Sequence, residues 1–449
     1  MDITGLIPQF GGFAYNVVAF VIALSVIVAV HEYGHYIVGR WSGIHAEVFS
    51  LGFGPVLWSR VDRRGTRWQI AALPFGGFVK FLGDANAASG KDAAVMADAA
   101  TDPKALRRTM HGAPLWARAA TVAAGPFFNF VLSVIIFAAI FMSRGVTSDP
   151  LTVGELKPLP DSSYELQSGD QILAINGTPI PEFGVNDDWT AFRMGLKPAP
   201  SLDYLVKRDG AEVTVKGPYL YPPVIDTVVP RSAAMDIGLQ AGDVIQSVDG
   251  TPISSFDELK TRVEASDGRP LQLVVWRDGA TQDFALVPRR MDEAQDEGGF
   301  ATNWRIGVVS SMAFEAAREP ANLTTAVQGA VMQMGAMVTT SISGLWHIIT
   351  GAISTCNLSG PIGIAQASGD TASQGAQSFI WFIASLSTAV GLLNLFPIPA
   401  LDGGHLVFYA YEAVTGQPPS DLALRVMMSL GLAILLTLMV FALFNDVVC

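Results

Sequence analysis

The residues best suited to chemistry stand together near the end of the first apolar stretch, in the sequence Val30-His31-Glu32-Tyr33-Gly34-His35. On a helix, His31 and His35 project from one face a turn apart, so both imidazoles can reach one Zn²⁺ at about 2.0 to 2.1 Å. Glu32 is then placed to act as general base toward a water molecule whose pKa the metal has lowered to about 7. The pattern predicts a hydrolytic zinc site.

The position of this motif argues against a polar cluster without function. Apart from Glu32, residues 3–35 hold no Asp, Glu, Lys or Arg, and the run is long enough to cross a bilayer. An acid and two imidazoles at membrane depth are costly unless they pair or bind a ligand, so a functional role is the default interpretation.

Two histidines leave a zinc site short of a third protein ligand. A candidate group at matching depth occupies 394–405, Asn-Leu-Phe-Pro-Ile-Pro-Ala-Leu-Asp-Gly-Gly-His. Pro397 and Pro399 cannot continue a helix, so we expect this apolar stretch to break and to free backbone groups that line a cavity. Asp402 is the predicted third ligand, and His405 is the alternative.

Composition places these motifs in a membrane protein. Of the 449 residues, 50% are apolar and 15% are charged, whereas soluble domains carry about 25% charged residues. Spanning a bilayer core of about 30 Å takes roughly 20 helical residues, and four nearly uncharged stretches are long enough: 13–36, 119–142, 379–400 and 426–444. A single soluble globule, a disordered chain and a nucleic-acid binder are excluded, since no basic patch dominates.

The charge distribution predicts the orientation. Residues 36–118 hold 11 Lys/Arg and 6 Asp/Glu, whereas residues 149–320 hold 15 Lys/Arg and 27 Asp/Glu. Because basic residues near membrane helices stay in the cytoplasm, the first loop is predicted to be cytoplasmic and the acidic region periplasmic. Cys356 and Cys449 then both lie on the outer side, where a disulfide is permitted.

The segment 321–369 has no formally charged residue and resembles a fifth span. If it crossed, Asp402 would lie at the membrane face opposite to His35, which the proposed metal site forbids. Its apolar residues recur every three or four positions, as in an amphipathic helix on the outer membrane surface. The alternative is a packing helix that joins two domains.

The acidic region contains an internal repeat. Residues 169–180 match 242–253 at seven of twelve positions, and Arg-Asp-Gly-Ala at 208–211 recurs at 277–280. Each copy predicts a buried strand, an Asn-Gly or Asp-Gly turn and a second strand. The pattern Gly-Leu-Gln-Ala-Gly-Asp-Val-Ile resembles the PDZ domains of bacterial proteases, which bind extended peptides, including C-termini, along a sheet edge. The alternative for the first copy is a spacer without a ligand.

Residues 67–79 alternate in polarity and end in Pro-Phe75-Gly76-Gly77. They predict a hairpin that dips toward the first apolar helix and whose edge, with Phe75, Gly76 and Gly77, could pair with the backbone of a substrate. The alternative is a structural hairpin that covers the cytoplasmic mouth.

Together these motifs resemble the site-2 protease family, the M50 zinc intramembrane metalloproteases, and in the order of parts the bacterial regulator-of-sigma-E proteases. Further matches are Gly-Phe-Gly-Pro at 52–55, Ile-Ala-Ala-Leu-Pro-Phe-Gly-Gly-Phe-Val-Lys at 70–80 and Ala-Gly-Pro-Phe-Phe-Asn at 124–129. One departure is Ala389, where some relatives carry a second Asn. The resemblance implies zinc ligands His31, His35 and Asp402, the catalytic base Glu32, and a substrate-facing segment with Asn394, Pro397 and Pro399.

The implied function is a zinc metalloendopeptidase of the bacterial inner membrane that cleaves transmembrane segments of single-pass proteins in regulated intramembrane proteolysis. The implied substrate is an anti-sigma factor already trimmed on its outer side, in the sigma-E stress response, and signal-peptide remnants are a further candidate. The alternative is a metal-binding transporter or scaffold that uses the same His/Asp cluster. Glu32 favours the enzyme, because a transport site does not need a carboxylate outside its ligand set.

The predicted fold is a polytopic α-helical membrane protein with four transmembrane helices, two periplasmic PDZ-like α/β domains and a membrane-associated β-hairpin. Its predicted segments are 1–40, the first transmembrane helix with the zinc motif; 41–118, the cytoplasmic loop with the hairpin; 119–145, the second transmembrane helix; 150–220 and 221–310, the PDZ-like domains; 315–375, amphipathic outer-surface helices; 378–405, the third transmembrane segment with Asp402; and 424–445, the fourth transmembrane helix.

Overall fold

The computed structural model describes residues 6–85, 90–160, 163–181, 186–230, 232–294 and 300–448. The helices are α1 (Leu6–Trp41), α2 (Ala93–Ala99), α3 (Pro103–Arg107), α4 (Leu115–Arg144), α5 (Asn186–Gly195), α6 (Ala233–Asp236), α7 (Phe256–Ala265), α8 (Leu323–Ile349), α9 (Pro361–Ser373), α10 (Ala376–Asn394), α11 (Asp402–Thr415) and α12 (Asp421–Val448). The strands are β1 (Ala46–Val61), β2 (Arg67–Phe81), β3 (Val146–Thr147), β4 (Val153–Leu156), β5 (Gln171–Ile175), β6 (Thr178–Pro179), β7 (Leu202–Arg208), β8 (Ala211–Gly217), β9 (Ile225–Val228), β10 (Val244–Val248), β11 (Thr251–Pro252), β12 (Leu271–Arg277), β13 (Ala280–Leu286), β14 (Arg289–Ala294), β15 (Phe300–Arg305), β16 (Val308–Ser310), β17 (Phe314–Ala316) and β18 (Arg318–Glu319).

The chain divides into two compact units. One consists of Met1–Ile140, Ala326–Trp346 and Thr355–Cys449, and the other of Phe141–Thr325 and His347–Ser354. Within the described residues, four helices are long and apolar enough to cross a membrane: Gly12–Trp41, Leu115–Arg144, Ala376–Asn394 and Leu422–Val448. The predicted number of membrane-length helices is confirmed, and α8 is not one of them.

In the first unit, α4 contacts both α1 and α10. A Cβ added to Gly34 of α1 would lie 2.5 Å from the Ala124 carbonyl oxygen of α4, so the two backbones touch. On the other side, Ser133 donates a hydrogen bond to the Ala384 carbonyl at 2.8 Å, and Ser387 donates to the Asn129 carbonyl at 2.9 Å. Small residues and hydroxyls of this kind join helices in membranes. They hold the middle of α4 next to the zinc motif of α1.

The third apolar stretch is two helices with a break between them. Helix α10 ends at Asn394 and α11 begins at Asp402, and Pro397 and Pro399 stand in the connection, as their lack of an N–H predicts. A Cβ on Gly403 would lie 2.3 Å from the Phe396 carbonyl oxygen, so the connection folds back tightly over the first turn of α11. This fold-back places Asp402 at a helix start.

Strands β1 and β2 correct the predicted hairpin within residues 67–79. Residues 67–81 form one strand, β2, whose partner is β1, a strand that sequence analysis did not assign. Residues 46–51 of β1 pair with 77–81, residues 48–51 also pair with 67–70, and residues 56–61 pair with 67–71. Because β1 and β2 both bend, they form four paired strand segments: 46–51, 56–61, 67–71 and 77–81. Residues 77–81 pair with β1 along one edge only.

The second unit contains two sheets of the same topology, in the orders β6-β5-β7-β8 and β11-β10-β12-β13. Strand β17 pairs with β4, and Ala313 and Phe314 belong to the core of the first domain although they follow the second domain along the chain. The predicted consecutive boundaries 150–220 and 221–310 are therefore wrong. The repeat marks the central strands of each sheet, whereas the short strand that closes the first domain comes after the second.

The repeated Asp and Arg residues form the same ion pair in each domain. Arg208 donates two hydrogen bonds of 2.7 Å to Asp170, and Arg277 donates two of 2.6 Å to Asp243. Both carboxylates are 1% exposed. The Gly-Asp and Arg-Asp-Gly-Ala repeats therefore have a structural role, because each supplies one half of a bidentate buried pair.

Arg208→Met is expected to destabilise the first domain, because it removes both charged hydrogen bonds of the buried Asp170 carboxylate and leaves it the Gln167 N–H as a donor. Burial acts to raise the pKa of Asp170, but the hydrogen bonds from Arg208 and the Gln167 N–H, with the charge of Arg208, outweigh burial and hold this pKa below its ordinary value. The pair therefore stabilises the domain above the unfolded pKa of about 3.9 and loses that contribution as pH falls below it. Faster hydrogen exchange of the β5 and β7 amides at pH 7 in the full-length variant would show the loss.

Lys216→Met is the matched control, because Lys216 and its partner Asp203 are 59% and 51% exposed. An exposed pair contributes about 1 kcal/mol or less. Equal hydrogen exchange in the Arg208→Met and Lys216→Met variants would contradict the structural role of the repeat.

Candidate metal centre

Three side chains converge where α1 meets the start of α11. His31 and His35 lie one turn apart on α1, and their Nε2 atoms are 3.1 Å apart. Asp402, the first residue of α11, places its Oδ2 atom 3.2 Å from His31 Nε2 and 3.4 Å from His35 Nε2. The three side chains are between 12% and 17% exposed. Their potential ligand atoms therefore form a compact and largely buried triangle.

This triangle has the dimensions of one face of a zinc tetrahedron. With metal–ligand bonds of about 2.0 to 2.1 Å, two ligands of a tetrahedral Zn²⁺ lie about 3.3 Å apart, close to the three separations here. Asp402 Oδ2 is buried without a hydrogen-bond partner, as expected of an atom that faces a cation. Two imidazoles and a carboxylate suit zinc, and three protein ligands leave the fourth position open, as in catalytic sites. The residues fit the metal.

Helix α4 supplies the polar partners of both imidazoles. His35 Nδ1 donates to the Thr121 carbonyl at 2.9 Å, and His31 Nδ1 lies 3.2 Å from the side-chain amide of Asn129. Gly125 lies between these two residues on α4. A Cβ added to it would be 2.3 Å from His35 Nε2 and 2.8 Å from His31 Cε1. A glycine is therefore required where α4 passes the imidazoles.

Glu32 stands beside the triangle without belonging to it. Within the described residues, the group of side chains able to share a metal is His31, His35 and Asp402. The Glu32 carboxylate instead lies near the backbone N–H of Val79 in β2. A Cβ added to Gly77, two residues earlier on β2, would lie 3.0 Å from Glu32 Cγ. Strand β2 thus packs against a carboxylate that neighbours the three candidate ligands.

Comparison with known proteins identifies the family. The model of peptidase family M50 matches residues 19–438. The chain belongs to peptidase family M50. The predicted family and the predicted enzyme class are both confirmed. M50 peptidases of this kind are zinc metalloendopeptidases.

The relatives match almost the whole chain. A protein of Agrobacterium fabrum, named as a zinc metalloprotease, is 34% identical over 432 residues, which are 96% of this chain and 95% of the relative. The regulator of sigma-E protease RseP of Salmonella typhimurium is 33% identical over 467 residues, covering 96% of this chain and 98% of its own length. The PDZ domain of the SdrC-like protein from Listeria monocytogenes aligns with 20% of this chain and 85% of its own, at 17% identity and a TM-score of 0.16.

In this M50 peptidase, the alternative ligand His405 lies outside the three-residue metal group. It follows Asp402 by three residues on α11, and its ring packs edge-on against Phe408 at 6.0 Å. The geometry therefore favours Asp402 over His405 as the third ligand.

The predicted substrate-facing residues fall in two places. Asn394 ends α10, where its side chain donates to the Val390 carbonyl at 3.0 Å, and Pro397 and Pro399 stand in the connection that leads to Asp402. Phe75, Gly76 and Gly77 are consecutive residues of β2; the Phe75 side chain lies outside the described part of the structure. Of these three, Gly77 lies beside Glu32, and Gly76 has a φ of 151°.

Sequence reasoning assigned no role to Thr121, Gly125 or Asn129. The motif Ala-Gly-Pro-Phe-Phe-Asn at 124–129 supported the family resemblance, and it contains two of the three residues. These residues could have been noticed because a glycine, a proline and a polar amide stand within a run long enough to cross a membrane. Glycine and proline have low helix propensity, and a polar side chain at membrane depth is costly.

Proposed function

We propose that this protein is a zinc-dependent intramembrane endopeptidase that cleaves transmembrane segments of single-pass membrane proteins. The observation that carries the proposal is a zinc-sized triangle of His31, His35 and Asp402 at the end of a membrane-length helix, with the Glu32 carboxylate beside it. Polar groups at this depth are costly without a function.

In this proposal His31, His35 and Asp402 hold the metal and Glu32 is the general base. When bound, Zn²⁺ acts as a Lewis acid for the scissile carbonyl and lowers the pKa of water. The Glu32 carboxylate accepts the proton of the attacking water and delivers it to the amide nitrogen that leaves. The nearby Val79 N–H places a dipole beside that carboxylate without adding a charge.

Substrate presentation requires an unwound helix. Every peptide group of a transmembrane helix is hydrogen-bonded internally, so a scissile carbonyl is available only after local unwinding. We propose that residues 77–81 of β2, which pair with β1 on one side only, receive the unwound strand on their other edge, where the Val79 N–H lies near Glu32 and the Phe81 N–H donates to Asp84. The connection with Asn394, Pro397 and Pro399 contacts the same strand next to Asp402, and Phe75, Gly76 and Gly77 do so at the β2 bend.

Gly77→Ala tests this arrangement. Its Cβ would lie 2.8 Å from the Ser50 carbonyl oxygen, 2.9 Å from Val28 Cγ1 and 3.0 Å from Glu32 Cγ, so β2 must move away from α1 and from the base. We expect cleavage to fall by about 100-fold, because a displacement of about 1 Å near a catalytic group costs this much, while bound zinc is unchanged. Wild-type cleavage in this variant would contradict the role of β2.

The proposed location is the bacterial inner membrane, with both PDZ-like domains in the periplasm and the active site toward the cytoplasm. The basic 36–118 region supports a cytoplasmic loop between the first two membrane helices. Cys356, which follows α8, is disulfide-bonded, as suits an oxidising compartment.

For the substrate, we propose an anti-sigma factor that another protease has already trimmed on its outer side. The support is the Salmonella typhimurium relative, which is named a regulator of sigma-E protease. Signal-peptide remnants share the required chemistry, a short apolar helix without a bulky outer domain. The PDZ-like domains would then bind newly made C-termini or exclude untrimmed proteins.

The test is cleavage by the purified protein in liposomes that contain a single-pass reporter. Mass spectrometry of the fragments should place the cut inside the transmembrane segment. Cleavage confined to a soluble flank would contradict intramembrane proteolysis. Zinc uptake into the liposomes without cleavage would instead support the transporter.

A further inference from the structure

Asn129 is the polar residue that faces the outer nitrogen of His31. Its side-chain Nδ2 lies 3.2 Å from His31 Nδ1, and the residue is 0% exposed, within the span formed by α4. The other end of the same amide, Oδ1, is buried and has no hydrogen-bond partner. A buried carbonyl oxygen without a partner costs about 1 to 3 kcal/mol, so this arrangement requires an explanation.

Metal binding determines which nitrogen of each histidine carries the proton. The Nε2 atoms of His31 and His35 both point at Asp402 Oδ2, so these atoms are the ones that can give their lone pairs to a metal. A neutral imidazole that uses Nε2 in this way keeps its proton on Nδ1, where it needs an acceptor. For His35 the acceptor is the Thr121 carbonyl at 2.9 Å.

For His31 the group at Nδ1 is the Asn129 amide, and an NH₂ group cannot accept that proton. A half-turn of the carboxamide exchanges its nitrogen and oxygen without changing its shape. Oδ1 would then accept from His31 Nδ1–H. The same rotation gives the buried oxygen a partner, and the NH₂ group takes the position that the oxygen leaves.

The backbone of Asn129 is fixed independently of the metal. Its carbonyl oxygen accepts hydrogen bonds from Ser133 at 3.0 Å and from Ser387 of α10 at 2.9 Å. A Cβ added to Gly391 of α10 would lie 3.2 Å from Asn129 Cβ, so the side chain has little room to withdraw. The amide is therefore held at His31 by the packing of α4 against α10.

We propose that Asn129 is a positioning residue whose Oδ1 accepts the Nδ1 proton of His31 and so holds this histidine in the tautomer that binds zinc through Nε2. This inference rests on the proposed zinc site. It assigns to a neutral amide the role that a carboxylate often has beside a metal-bound histidine, and the amide adds no further negative charge to a site that already contains Asp402 and Glu32.

Two substitutions of similar size separate the possible roles of Asn129. Leu removes every polar atom, whereas Asp keeps an acceptor and removes the donor. The readout is zinc affinity of the full-length protein in detergent, measured by competition with a chelator. We expect Asn129→Leu to weaken zinc binding by about 10- to 100-fold, the usual loss when such a partner is removed, and Asn129→Asp to stay within about threefold of wild type.

Each other result overturns the inference. Equal loss in Asn129→Leu and Asn129→Asp would show that the amide acts as a donor. Wild-type affinity in both would show that it only fills space. Ser133→Ala, which removes the hydroxyl shared between the Asn129 and Ala384 carbonyls, is the control for packing of α4 against α10, and thermal unfolding of the metal-free variants identifies any that fail to fold. If wild type itself binds no zinc, the proposed function fails, whereas zinc binding that is lost in His31→Ala but unchanged in Asn129→Leu removes only the role of Asn129.

Discussion

Asp402→Asn, His31→Ala and His35→Ala are each expected to lower bound zinc from about one ion per chain to a small fraction and to reduce cleavage by about 1,000-fold or more. The three potential ligand atoms lie 3.1, 3.2 and 3.4 Å apart, so one metal ion can contact all of them. Each substitution leaves only two of the three protein ligands. Zinc content by mass spectrometry and cleavage of a transmembrane reporter measure the two effects.

His405→Ala is the matched control for this prediction. His405 lies on the same helix as Asp402 but outside the metal group, so we expect this variant to keep its zinc. Loss of zinc in His405→Ala together with full activity in Asp402→Ala would transfer the third-ligand role to His405.

Gly125→Ala is expected to be nearly as damaging as loss of a ligand. Its Cβ would lie 2.3 Å from His35 Nε2, the atom that faces the metal, and 2.5 Å from Cε1 of the same ring. The ring cannot remain in place, because carbon and nitrogen atoms that are not bonded do not approach so closely, and packed interiors have little room to adjust. We expect zinc affinity to fall by about 100-fold or more.

Gly12→Ala in α1 is the control, since no atom lies within 4 Å of the Cβ it would add. Both variants replace a helical glycine by alanine, so any general gain in helix stability is common to them. Unchanged zinc affinity in Gly125→Ala would mean that α4 does not pass the imidazoles as closely as described.

The zinc motif could be predicted because its geometry is local. Residues four apart on a helix share a face whatever the rest of the chain does, and two prolines two residues apart remove two backbone donors and disfavour a continuous helix. Asp402 followed from one additional constraint, that a metal and its ligands share one depth in the membrane. These inferences needed no knowledge of packing.

The partners on α4 could not be predicted in the same way. Asn129 is 98 residues from His31 along the chain and Thr121 is 86 from His35, so no periodicity connects them. Strand β1 was missed because Gly52 and Gly54, both with positive φ, interrupt its alternation. The insertion of the second β-sheet domain into the first was missed because β17 has only three residues and pairs with a strand more than 150 positions earlier.

A comparison of Glu32→Gln with wild type for zinc content and for cleavage of a transmembrane reporter separates metal binding by this protein from its hydrolytic chemistry. Glu32 lies outside the ligand triangle, so its neutral isostere should leave the metal in place. A general base contributes about 10² to 10⁴ in rate. We predict wild-type zinc content with cleavage reduced by about that factor. Full cleavage in Glu32→Gln, or loss of zinc together with activity, would contradict Glu32 as the base of a zinc hydrolase.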